Sequence, residues 1–76
     1  MQATSFYVSK SHLNAIATRA LIDEEFKSAV LNGKRSQKIR EYPLPEMVQE
    51  EVMQIQAEDV HQFIYGLQAI IEQRQV

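Results

Sequence analysis

The apolar residues near the C-terminal end of the sequence recur at intervals of three and four positions. This spacing places them on one face of an α-helix and does not fit the alternation of a β-strand. We predict a helix near residues 58–73, with Glu58 and Asp59 in its first turn, where the helix dipole favours carboxylates. Gly66 interrupts it and indicates close packing of another helix. The apolar positions are Val60, Phe63, Ile64, Leu67, Ile70 and Ile71.

Two polar residues divide the N-terminal half into helices. Ser9 or Ser11 can cap a first helix, because a hydroxyl oxygen accepts hydrogen bonds from free N–H groups of the first turn. Asp23 can cap a second helix in the same way, so we interpret residues 12–31 as two helices. Gly33 predicts the end of the second helix, since glycine readily adopts the left-handed conformation found there.

The two prolines punctuate the middle of the chain. A short helix fits residues 34–42, with Ile39 and Tyr42 as its apolar anchors. Pro43 disfavours helix at the residue before it, whereas Pro45 can begin the next helix because its missing N–H loses no hydrogen bond there. The buried stripe predicted for that next helix consists of Val48, Val52 and Ile55.

The chain has 76 residues, which is the size of one domain. We predict an all-α fold, a compact bundle of four to five short helices in which the longest helix is the last. Residues 1–10 are expected to form an N-terminal arm and residues 11–76 the single helical domain. We expect a cytoplasmic location without membrane insertion. The chain lacks cysteine, a signal-peptide pattern and any apolar run of about 18 residues.

Residues 20–67 resemble a known superfamily of small helical proteins. Asp23 and Phe26 match an Asp-x-x-Phe pattern at the start of a helix, and Leu44 matches a Leu-Thr-x-Glu-Glu turn into the next helix. Pro45 stands where that turn has serine or threonine, so the turn is altered here. The pattern resembles the superfamily that contains the LigA-type alpha subunit of protocatechuate 4,5-dioxygenase and leader domains of ribosomally made, modified peptides.

The resemblance implies a domain without catalytic activity of its own. In this superfamily the dioxygenase subunit covers a partner's active site, and leader domains are bound by a modifying enzyme. We therefore expect a non-enzymatic accessory or interaction module that binds a protein partner. Motifs of this kind concern packing positions, so they predict the fold more directly than the function.

Few residues carry the chemistry of an enzyme or a metal site. There is no cysteine, and the serines lie at predicted caps or in basic segments, so we expect neither catalysis nor a cofactor. Glu58 and His61 have the Glu-x-x-His spacing of di-iron bundles, which require two such pairs and two more glutamates. We expect no metal. A dimeric metal-site protein, completed by Glu50 or Glu51, is a further alternative.

The charged side chains change from basic to acidic next to the segment Tyr42-Pro43-Leu44. Residues 27–40 contain five basic residues and no acid, and residues 41–59 contain six acidic residues and no base. The alternative function is a small nucleic-acid-binding regulator that uses the basic segment. The net charge of −2 and the isoelectric point near 5.6 disfavour nucleic acid, because such modules are usually basic. The candidate patch for an anionic partner consists of Lys34, Arg35, Lys38 and Arg40.

The last predicted helix has a broad apolar stripe for so small a domain. Ile70 and Ile71 extend beyond the region that the short preceding helices can cover, and leftover apolar surface is typical of an interface. The partner would be another protein or a second copy in a homodimer. Alternatively, residues 6–8 of the arm fold back and cover these isoleucines. The candidate partner interface consists of Phe63, Leu67, Ile70 and Ile71.

Overall fold

The computed structural model describes the backbone of residues 2–73 and the side chains of residues 10–73. This part of the chain contains no strand, so the predicted all-α class and the predicted number of helices are confirmed. The radius of gyration, 11.6 Å, is close to the roughly 11 Å of a folded chain of this length. The helices are α1 (Gln2–Ile22), α2 (Glu24–Leu31), α3 (Arg35–Ile39), α4 (Glu46–Met53) and α5 (Val60–Gln73).

The first helix begins earlier than the sequence predicted. It starts at Gln2 and continues through Ser9 and Ser11, so the prediction of an N-cap at either serine was wrong. The reason is that no glycine or proline precedes Gly33, and nothing interrupts the helix. The backbone of the predicted arm is therefore helical over residues 2–10, whereas the side chains of residues 6–8 lie outside the described ones. α1 spans 21 residues, and α5, with 14, is the longest of the helices that follow it.

The division between α1 and α2 at Asp23 is confirmed. Asp23 has extended backbone angles, and its Oδ1 accepts a hydrogen bond from the backbone N–H of Phe26 at 3.1 Å. This hydrogen bond, reinforced by Arg19, lowers the pKa of the Asp23 carboxyl. Gly33 has a φ angle of 106° and follows the end of α2, as its position in the sequence predicted.

The helices in the middle of the chain end and begin on either side of the two prolines. α3 ends at Ile39, and Pro45 occupies the N-cap position that precedes α4. Val48 and Val52 are buried as predicted, while Ile55 lies beyond the end of α4 and is half-buried.

The last helix begins two residues later than predicted. α5 starts at Val60, so Glu58 and Asp59 precede its first turn. Asp59 Oδ1 accepts a hydrogen bond from the N–H of Gln62 at 2.9 Å, and Gln62 Oε1 accepts one from the N–H of Glu58 at 2.8 Å. This reciprocal pair satisfies two N–H groups where the helix begins, in the manner of a capping box.

One core joins all five helices. α1 packs against α2 and α5, α2 against α3, and α4 against both α3 and α5. No helix among the described residues combines the length and apolar character needed to cross a membrane. The largest side chains that are almost completely buried are Leu13, Ile16, Phe26, Val30, Ile39, Val52, Phe63 and Leu67.

Gly66 lies close against the side chain of Ile55. A Cβ atom at position 66 would lie 2.6 Å from Cγ2 of Ile55, nearer than real Cβ contacts occur. The predicted close packing is present, but the neighbour is a side chain of the α4–α5 connection rather than another helix.

Candidate interaction surface

The apolar stripe of α5 lies in the core. Phe63 and Leu67 have no exposed surface, and Ile70 and Ile71 are 6% and 8% exposed. The prediction that these four residues form an open partner interface was therefore wrong. That prediction assumed that all the helices before α5 are short. α1 instead spans 21 residues and packs against α5.

Arg35 is the one charged residue buried among the described side chains. Its Nε donates a hydrogen bond to the carbonyl oxygen of Val30 at 2.7 Å, in the last turn of α2. Its Nη1 donates to the carbonyl oxygens of Val52, Met53 and Ile55 at 3.0, 3.3 and 2.7 Å, where α4 ends. One guanidinium thus donates hydrogen bonds to carbonyl groups at the C-terminal ends of two helices, where the dipole favours a positive charge.

The aromatic ring of Phe63 completes the environment of Arg35. The guanidinium carbon lies 4.9 Å from the ring centre, within the range of a cation–π contact. Burial lowers the pKa of this guanidinium, because desolvation disfavours its charged form. Arg35 is therefore a structural residue, and its prediction as part of a patch for anionic partners was wrong.

The remaining basic residues of that predicted patch do not form one surface. Lys34 and Lys38 line a groove between α2 and α3 that also contains Glu25. Arg40 instead lines a separate groove between α3 and α4, where Glu46 and Glu50 form part of the opposite wall. Each groove therefore combines both signs of charge.

Glu58 and His61 do not share a helix, contrary to the premise of the metal alternative. Glu58 precedes α5, whereas His61 lies in its first turn, and both side chains are exposed. Across the described residues, no three His, Asp or Glu side chains come close enough to hold a metal ion together.

Arg19 ties α1 to the connector before α4. Its guanidinium donates hydrogen bonds to the Tyr42 hydroxyl at 3.4 Å and to Glu41 at 3.0 Å, and both contacts raise its pKa. It also lies 4.4 Å from the centre of the Phe26 ring, and the ring of Tyr42 meets His12 edge-on at 6.1 Å. These groups are occupied by contacts within the chain, so they hold the helices in place.

The α3–α4 groove has a volume of about 640 Å³. Arg40 forms part of its α3 side, and the buried Ile39 contributes to its lining. On the α4 side lie Glu46, Glu50 and Met53. The lining of the groove therefore combines apolar side chains with charged groups of both signs.

The charged groups of the α3–α4 groove have no ion-pair partner among the described residues. The ion pairs found there involve Arg19 and Lys27, and none includes Arg40, Glu46 or Glu50. Glu46 and Glu50 are four positions apart on one helix, so their carboxylates are neighbours and repel each other. The groove thus holds two adjacent negative charges without an ion-pair partner in the described part of the chain, and the cation of Arg40 lines the same groove.

Two large apolar side chains lie beside these carboxylates. Met47 is 67% exposed and Met53 is 42% exposed. Each is three positions from Glu50 along α4, a spacing that makes side chains neighbours on a helix. We define Glu46, Met47, Glu50 and Met53 as the α4 face.

The exposure of Met47 and Met53 excludes both side chains from the core. The usable signal was the Met-x-x-Glu-x-x-Met spacing from Met47 to Met53, which lies off the buried valine stripe of the same helix. Leu21, Ile22 and Tyr65 are also exposed, on α1 and α5.

No family model, curated protein or solved structure matches this chain. The resemblance to the LigA-type superfamily accordingly stays a prediction.

Proposed function

We propose that the protein is a non-enzymatic helical module that binds a protein partner through the α4 face and the adjoining α3–α4 groove. The observation that carries this proposal is the exposure of Met47 and Met53 beside carboxylates without ion-pair partners. The interior of the domain is already complete without these side chains, because Val48 and Val52 supply the contribution of α4 to the core.

The physical chemistry of methionine supports a protein partner. Burial of apolar surface is favourable by roughly 25 cal/mol per Å², so burying the two exposed methionines against a partner would favour binding. The unbranched, polarisable thioether adapts to irregular surfaces, and methionine is used repeatedly at binding surfaces that accept a protein segment. The resemblance to accessory subunits and leader domains favours the same class of function.

The nucleic-acid alternative has less support. Arg35 is buried, and the three other basic residues of the predicted patch divide between two grooves that also contain carboxylates. Phosphate binding requires an accessible group of cations, and affinity then falls steeply as salt is raised. We expect no binding of this kind in a mobility shift measured at two salt concentrations.

We also expect a cytoplasmic location. The lack of cysteine favours a reducing compartment. A second copy of the chain is the competing partner, and sedimentation over a wide concentration range detects it.

Site-specific photo-crosslinking tests the proposed function. A photoreactive amino acid replaces Met53 in one variant and Tyr65 in a control variant, since Tyr65 is exposed on α5, outside the α4 face. Irradiation in the producing cells should give one protein adduct of defined mass from position 53 and none from position 65. Equal labelling from both positions, or none from position 53, would contradict the proposal.

A further inference from the structure

Building on the proposed function, we infer that the α3–α4 groove recognises a partner segment in which a lysine or arginine is flanked by large apolar residues. The pair of carboxylates in the groove selects the cation. The two methionines of the α4 face select the flanking residues. The α3 side of the groove restricts how the segment lies.

The selection of a cation follows from Glu46 and Glu50. Their side chains are adjacent on α4, line the same groove and have no ion pair among the described residues. Two like charges four positions apart on a helix destabilise it. A lysine or arginine placed between them relieves this repulsion and forms charge-assisted hydrogen bonds to both carboxylates. An acidic segment would be repelled.

The selection of apolar neighbours follows from the methionines. Met47 and Met53 lie on either side of Glu50 along the helix, one turn apart from it in each direction. A cation bound at Glu50 therefore has an exposed thioether on each side. Partner residues such as leucine next to the cation would bury both side chains, which a purely basic or purely polar segment would leave in water.

Arg40 makes the α3 side of the groove differ in charge from the α4 side. Arg40 lines the groove at the end of α3 and has no ion pair in the described part of the chain. A cation of the partner is therefore favoured at the α4 side and repelled at the α3 side. The segment must place its basic residue toward α4 and a neutral or acidic residue toward Arg40.

Peptide titrations followed by amide chemical shifts test this inference on the full chain. The probe is an acetylated and amidated octapeptide, Gly-Ser-Leu-Lys-Lys-Leu-Ser-Gly. One comparison peptide has glutamate in place of both lysines, and another has serine in place of both leucines. We expect the first peptide to shift residues around the groove, including Ser36, Arg40 and Met53, with a dissociation constant at or below about 1 mM.

Variants of the protein separate the two components of recognition. Glu46→Gln/Glu50→Gln should weaken the lysine peptide about five- to tenfold, because two exposed ion pairs are lost. The matched control Glu24→Gln/Glu25→Gln, on α2, should leave binding unchanged. Higher salt should weaken the wild-type complex and have little effect on the variant. The glutamate peptide and the serine peptide should each bind at least about fivefold more weakly than the first.

The inference is overturned if the glutamate peptide binds as well as the lysine peptide, or if the shifts fall outside the groove. It is also overturned if the chain dimerises in sedimentation and Glu46→Gln/Glu50→Gln abolishes the dimer, because the occupant is then a second copy. A partner crosslinked from position 53 together with failure of the lysine peptide would leave the module role standing and reject the basic segment. Absence of both results would reject the proposed function itself.

Discussion

Helices α4 and α5 differ in whether their large apolar side chains are buried or exposed. α5 buries Phe63, Leu67, Ile70 and Ile71, and its one exposed large aromatic residue is Tyr65. α4 buries only Val48 and Val52 and leaves two methionines in solvent beside acidic groups. The difference indicates that α5 stabilises the fold, whereas one side of α4 is available for binding.

The largest loss of stability should come from α5. Phe63→Ala removes a fully buried ring and the cation–π contact of Arg35, so it should lower the free energy of unfolding by roughly 3–5 kcal/mol. The control Tyr65→Ala lies on the same helix but is 69% exposed, and it should change stability by less than about 0.5 kcal/mol. Urea denaturation measures both. Similar losses for the two variants would show that α5 is not the stabilising helix.

Arg35 joins the two helices, since it binds carbonyl groups at the end of α4 and lies against Phe63 of α5. Arg35→Met removes the guanidinium donor from the carbonyl oxygens of Val30 and Ile55 and should cost roughly 2–4 kcal/mol. The matched control Arg40→Met, which removes an exposed guanidinium close by in the chain, should cost less than about 0.5 kcal/mol. Equal effects of the two substitutions on the denaturation midpoint would refute the distinction between a buried and an accessible arginine.

Gly66 tests how closely the α4–α5 connection packs on α5. Gly66→Ala gains up to about 1 kcal/mol of helix propensity but forces its Cβ against Ile55, and overpacking costs roughly 1–3 kcal/mol. We expect a net loss of stability, and the same substitution made in an Ile55→Ala background should be stabilising. Urea denaturation of the wild type, the two single variants and the double variant measures these changes in the free energy of unfolding. Stabilisation by Gly66→Ala alone is incompatible with the contact.

The smallest effect should come from the α4 face and have the opposite sign. Glu50→Gln removes the repulsion with Glu46 and keeps the favourable carboxylate of Glu46 in the first turn of α4, so it should raise the free energy of unfolding by about 0.2–0.5 kcal/mol. Stability that increases while peptide binding decreases would separate the two roles of α4. A clear loss of stability would mean that the Glu50 carboxylate supports the fold.

The regular spacing of apolar residues predicted the helix that buries a continuous apolar stripe. The apolar spacing of residues 60–71 identified α5, and Asp23 and Gly33 identified both ends of α2, because caps and turns depend on local sequence. The start of α1 was missed, since Ser9 and Ser11 resemble caps but lie inside a helix that no glycine or proline interrupts.

The candidate surface was harder to predict because it depends on tertiary placement. Arg35 and Arg40 are both basic residues of one short segment, yet one is directed into the core and the other into a groove. That distinction arises from the ends of α2 and α4 meeting near Arg35, which local sequence does not encode. The stripe of α5 was assigned to a partner for a related reason, because the covering helix α1 was predicted to be shorter.

The most direct test of a binding role for α4 is the methyl spectrum of methionine-labelled protein during titration with the lysine octapeptide. The Met47 and Met53 methyl groups report on the α4 face itself, and single substitutions to leucine assign their signals. We predict that both signals shift in proportion to the fraction of protein bound, while the unfolding free energy of each leucine variant stays within about 0.5 kcal/mol of wild type. Binding of the peptide with both methyl signals unmoved would contradict the account.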